Sequence, residues 1–99
     1  MEDHSEGAKV EVQICQLNPG QKGAVVRIEG ESALRQHLLE MGFTRGTEVE
    51  FVRSAPLGDP VDLRLRGYRL SLRRAEASAV VVLSDRTAQS HPKLKGLKL

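Results

Sequence analysis

Apolar residues recur along this chain at two different spacings, and the change from one to the other divides it into elements. Val10, Val12 and Ile14 alternate with polar residues, predicting a first short strand over Val10–Cys15. Asn18-Pro19-Gly20 reads as a turn, and Ala24–Glu29 as the next strand, ended by Gly30. Leu34, Leu38 and Met41 then fall at i, i+4 and i+7, with Leu39 widening the stripe, which predicts a short amphipathic helix over Ser32–Met41. Ser32 is placed as its N-cap, accepting a bond from the N–H of Leu34 or Arg35. Gly42 sits just past its end, where a left-handed residue closes a helix and Phe43 packs back on Leu38.

Beyond the helix the period is two. Gly42-Phe43-Thr44-Arg45-Gly46, with Gly46 as a turn glycine, leads into a strand over Thr47–Ser54 in which Val49 and Phe51 oppose Glu48 and Glu50. Val61, Leu63 and Leu65 alternate with Asp62, Arg64 and Arg66 in a strand over Val61–Arg66. Gly67 permits a tight turn, and Tyr68, Leu70 and Leu72 alternate with Arg69, Ser71 and Arg73. The pair reads as a hairpin with one buried face and one wet, basic face. Arg74–Ser78 fits a single helical turn before a last strand, Ala79–Leu83. Five or six short strands and one short α-helix predict a mainly β chain, folded as a small barrel that closes to protect its edges. Strand spacing alone does not separate an SH3-like barrel from an OB-type one.

Between the third and fourth strands lies Ala55-Pro56-Leu57-Gly58-Asp59-Pro60. Proline fixes φ and lacks a backbone donor, glycine tolerates positive φ, and aspartate bonds its own backbone in turns. Pro56, Gly58 and Pro60 therefore make this a shaped, exposed loop. It presents Leu57 and Asp59 at little ordering cost; the competing reading is that Leu57 caps the barrel.

At 99 residues there is room for one domain. The expected division is an acidic, mobile tail over 1–9, a barrel over 10–84 and a basic, disordered tail over 85–99. The N-terminus has neither the basic nor the apolar region of a signal peptide, and the longest apolar run, Ala79–Leu83, is too short to cross a bilayer. One cysteine, Cys15, forbids an internal disulfide and suits a reducing compartment, so a cytoplasmic location is expected.

Candidate chemistry is sparse. There is no nucleophile elbow, phosphate loop or Cys/His ligand pattern, and no enzyme or cofactor is expected. His37 and Glu40, at i and i+3 on the helix, are the only metal candidates. Two ligands do not make a structural site, so no metal is assigned and both are read as part of a solvated helix face. Cys15 reads as a small buried hydrophobe. Between Val61 and Arg74 stand five arginines (Arg64, Arg66, Arg69, Arg73 and Arg74) and one acid, Asp62. Small barrels bind nucleic acid through such faces, and Pro19–Val26 is faintly similar to the KOW turn of ribosomal and transcription proteins. Nucleic-acid barrels, however, interleave aromatics that stack bases. Here Phe43, Phe51 and Tyr68 all fall on the buried phase, and Glu48, Glu50 and Asp62 stand where they can pair with the arginines. A solvated, partly paired strand face is the first reading, a protein-docking face the second, and nucleic acid the rival function.

Leu38-Leu39-Glu40-Met41-Gly42-Phe43-Thr44-Arg45-Gly46, the Ala55–Pro60 loop and Leu72-Arg73-Arg74-Ala75-Glu76-Ala77 resemble the FeoA family, small cytoplasmic proteins of bacterial ferrous iron uptake. The resemblance runs from about Leu17 to Leu83. It implies an SH3-like barrel. It also implies a non-catalytic accessory role, in which the chain docks on the cytoplasmic GTP-binding part of the FeoB-type ferrous iron transporter and meets the membrane only through that partner. Candidate contact residues are Leu57 and Asp59 on the loop, Arg35 and His37 on the helix, and Arg64, Arg66 and Arg69 on the hairpin.

Overall fold

The computed structural model describes residues 9–85; the two expected tails, but for Lys9 and Asp85 at their inner ends, lie outside that range. Six strands form one antiparallel sheet: β1 (Lys9–Gln13), β2 (Lys22–Ile28), β3 (Glu48–Ser54), β4 (Val61–Leu65), β5 (Tyr68–Leu72) and β6 (Val80–Asp85). Their spatial order is β1-β6-β2-β3-β4-β5. Helix α1 spans Ser32–Glu40, and the single turn α2 spans Arg74–Ala77.

The alternation read from the sequence is the alternation that is buried. Val49 faces Leu65, Phe51 faces Leu63 and Val61 faces Leu72 across the β3-β4-β5 ladders, and all six are buried. Leu38 and Phe43 join this core from the helix and its exit, and Val80 and Val82 join it from β6. The sheet does not stay flat. Register shifts between Val25 and Arg27 in β2 and between Phe51 and Arg53 in β3 insert extra residues, which bend and twist the strands around the core.

Several expected boundaries move, each for a local reason. The first strand stops at Gln13, not Cys15, because Ile14–Gln16 form a 3-10 turn. The Gln16 side-chain oxygen accepts the Gln13 N–H at 2.9 Å and ties off the strand. That turn lets two consecutive residues, Ile14 and Cys15, both face inward, which a pleated strand cannot do. Ser32 is inside α1, not its N-cap. The residue whose carbonyl accepts the first helical bond, from Arg35 N–H at 3.0 Å, is Glu31, whose side chain makes no capping bond.

The other end of α1 is as expected. Gly42 has φ +113, its N–H bonds the Leu39 carbonyl, and the Phe43 N–H bonds the Leu38 carbonyl at 3.1 Å. These are the paired bonds of a Schellman ending.

Closure of the barrel differs from expectation. Among the described residues no ladder joins β1 to β5, the two edges of the sheet. The space between them is spanned by α2, which touches both β5 and the Ile14–Gln16 turn. An Arg74 guanidinium nitrogen donates to the Cys15 carbonyl across this gap at 3.4 Å.

Candidate functional site

The β3–β4 connection is built as the proline and glycine positions require. Pro56 and Gly58 occupy the second and fourth positions of a four-residue turn, closed by the Gly58 N–H on the Ala55 carbonyl at 2.7 Å. The Ala55 N–H donates to the Pro60 carbonyl at 3.0 Å, pinching the loop at its base. Arg74 then fastens it from outside. Its backbone N–H donates to Asp59 Oδ1 at 2.9 Å and its Nη1 to the Gly58 carbonyl at 3.0 Å. Leu57, at the tip, is 95% exposed. It does not cap the barrel. Asp59, itself exposed, uses Oδ1 to cap the first turn of α2.

The outward face of β3, β4 and β5 is charged but compensated. In the ladder Arg64 stands opposite Arg69, a like-charge pair that would repel. Each finds an acid instead: Arg64 pairs with Glu50 at 3.2 Å and Arg69 with Asp62 at 3.6 Å. Asp62 also pairs with Arg53 at 3.4 Å and accepts the Ser71 hydroxyl at 2.6 Å. The Ser71 bond, with help from Arg53 and Arg69, holds the Asp62 carboxyl below its ordinary range.

Arg66 does not belong to this face. The expected strand Val61–Arg66 ends at Leu65, and Arg66 and Gly67, with φ of +49 and +82, form the two-residue turn joining β4 to β5. Positive φ at both central residues matches the natural twist of a hairpin. It also turns the Arg66 side chain back over the end of α1, where it reaches Thr44 Oγ1 at 2.7 Å, Thr47 Oγ1 at 2.9 Å and the Gly42 carbonyl at 3.4 Å. Period-two reading missed this because the Arg-Gly pair, the only local signal of such a turn, was split between strand and turn. Tyr68 departs likewise. Expected on the buried phase, it is 44% exposed, and its hydroxyl donates to the Met41 carbonyl.

On α1, Arg35, Gln36, His37 and Glu40 are all exposed, and Glu40 accepts the Gln36 side-chain amide at 3.3 Å. Among the described residues no group of three or more His, Cys, Asp or Glu side chains could hold a metal ion. Cys15 is buried, and burial pushes its thiol up, with Arg74 pulling weakly the other way. An open cleft of about 490 Å³ is lined by Arg45, Gly46, Thr47, Glu48 and Arg66, all polar or backbone in character. It lacks the apolar, enclosing walls that hold a small substrate. The candidate contact residues thus lie on the β3–β4 loop, on α1, on strands β4 and β5, and, for Arg66, in the turn between them. No helix among the described residues is long and apolar enough to cross a membrane.

The family model of the FeoA domain matches residues 12–83. The chain belongs to the FeoA family. A Porphyromonas gingivalis protein described as a Fe(2+) transport protein A/Fe(2+) transporter FeoB fusion is 39% identical over 82 residues, covering 82% of this chain. This chain spans only 10% of that relative's length. The solution structure of a FeoA-like protein from Clostridium acetobutylicum superposes with a TM-score of 0.69 at 38% identity, covering 77% of this chain and 87% of that one. A FeoA crystal structure from Stenotrophomonas maltophilia, complexed with zinc and described as an SH3 domain protein, gives 0.62 at 29% identity, covering 76% and 91%. The SH3-like fold expected from the sequence is the fold of these relatives, and ferrous iron transport is the setting of the family.

Proposed function

We propose that this chain is a non-catalytic accessory protein of bacterial ferrous iron uptake, acting in the cytoplasm by docking on the GTP-binding part of the ferrous iron transporter and modulating transport. The observation that carries this reading is the relative in which transport protein A and the transporter FeoB share one polypeptide. A tether of that kind holds two parts at high effective concentration, so even a weak contact between them is populated.

The surface chemistry supports protein docking over nucleic-acid binding. Arg53, Arg64 and Arg69 are paired with Glu50 and Asp62, and the exposed Arg66 is held by Thr44 and Thr47. Phosphate neutralisation needs cations with no partner of their own. Deleting this chain from its host should lower uptake of radiolabelled Fe²⁺ severalfold, with recovery on re-expression. Unchanged uptake would end the reading. Salt-sensitive RNA binding near the micromolar range, with no retention of the transporter, would replace it with the nucleic-acid alternative.

A further inference from the structure

A leucine that is 95% exposed on a loop held still is an unusual arrangement in a chain whose other inward-phase leucines are mostly buried. Mobile loops can fold an apolar tip back against the protein; this one is prevented from doing so. Two prolines, the bonds Gly58 N–H to Ala55 and Ala55 N–H to Pro60, and the Arg74 bonds to Asp59 and Gly58 fix it at tip, base and flank. Its order is already established before any partner arrives, so binding would bear little further ordering cost.

The charges around the tip are of both signs and engaged with one another or with the backbone. The carboxylates nearby are engaged within the chain: Asp59 on the Arg74 N–H, Glu76 on the Arg73 N–H at 3.0 Å, and Asp62 on Ser71, Arg53 and Arg69. Arg73 and Arg74 follow β5 at the flank of the loop and Arg53 precedes its base, its side chain 71% exposed. Among the described residues, the loop therefore offers one apolar knob with no unpaired charge shown beside it.

We infer that Leu57 is the anchor of the docking contact, seating in an apolar pocket on the cytoplasmic part of the ferrous iron transporter. This rests on the docking reading above and adds the contact residue and the character of its receptor. Arg74 is a positioning residue: it holds the knob without entering the pocket.

The test uses the full chain and the full-length transporter from the same organism in lipid nanodiscs, with binding followed by interferometry. Because the leucine side chain is buried on docking, Leu57→Ala is expected to bind about tenfold more weakly, and Leu57→Asp, which sets a charge in the apolar pocket, about a hundredfold. Leu57→Asp should keep the wild-type thermal midpoint, since the side chain touches little of its own fold. Arg35→Glu, on the α1 face, should bind as wild type. Arg74→Ala should weaken binding severalfold and speed exchange of the Gly58 amide, a change that loss of surface charge would not produce.

The failures are separable. Wild-type binding matched by Leu57→Asp overturns the anchor and leaves docking standing. Loss on Arg35→Glu with Leu57→Asp unaffected moves the contact to the helix. No binding by wild type, together with unchanged iron uptake on deletion, overturns both.

Discussion

Gly42 shows how one residue settles the end of an element. Its φ of +113 is closed to a side chain without strain, and a Cβ built there would lie 3.3 Å from the Tyr68 hydroxyl and 3.4 Å from Leu65. Gly42→Ala should therefore lose about 1 kcal/mol or more of stability, read as a lower urea midpoint at unchanged m-value. Cys15 is the opposite case, a residue whose chemistry the fold suppresses. Burial favours its thiol form, so a disulfide reagent at pH 8 should label it only as fast as the chain unfolds. Rapid labelling of the native protein would show that the turn after β1 opens on its own.

At the scale of elements, α1 is fastened at one end only. Glu31 gives its N-terminus no side-chain bond, whereas the carbonyls of Leu38, Leu39, Met41 and Gly42 are each taken by Phe43, Gly42, Tyr68 and Arg66. A guanidinium there also complements the negative end of the helix. Arg66→Gly keeps the hairpin turn and relieves the positive φ, yet removes three hydrogen bonds. Exposed bonds contribute about 0.5–1 kcal/mol each, so a net loss of about 1 kcal/mol is expected. A gain in stability would mean that strain at Arg66 outweighs the bracket. On the neighbouring strands, the Asp62 carboxyl is held down by Ser71, Arg53 and Arg69. Its contribution is present above the ordinary carboxylate pKa and is lost as pH falls through the lower folded value. Asp62→Asn should be less stable than wild type at pH 7, and the gap should narrow as the solution is acidified to about pH 2.

For the whole molecule, closure by α2 and the Ile14–Gln16 turn, instead of a β1–β5 ladder, puts Arg74 at a junction. It joins the loop, α2 and the turn after β1 through Gly58, Asp59 and Cys15. The described core lies between Ile14 and Val82, so a chain shortened to residues 9–85 should retain dispersed amide NMR resonances. Collapse of that dispersion would show that residues outside this span contribute to the core.

The local pattern determined most of the inward-facing positions (though not Tyr68), where α1 ends and that the β3–β4 connection is a tight turn. Each of these follows from properties carried by a few neighbouring residues: a period of two, a glycine after a helix, prolines flanking a turn. The same local reading resembled the FeoA family closely enough to imply the SH3-like barrel before any long-range contact was known. What it left out depends on partners distant in the chain. Asp59 acts as a cap because Arg74, on α2, donates to it. Arg66 leaves the basic face because Thr44 and Thr47 lie across from its turn. The arginines of the strands are paired because register places Glu50 beside Arg64 and Asp62 between Arg53 and Arg69. Leu57 stands clear of the barrel because the turn closed by Gly58 and the bracing by Arg74 hold it there. Hydrophobic phase is a property of a segment, whereas the pairing of charges and the setting of a loop are decided by what the fold brings alongside.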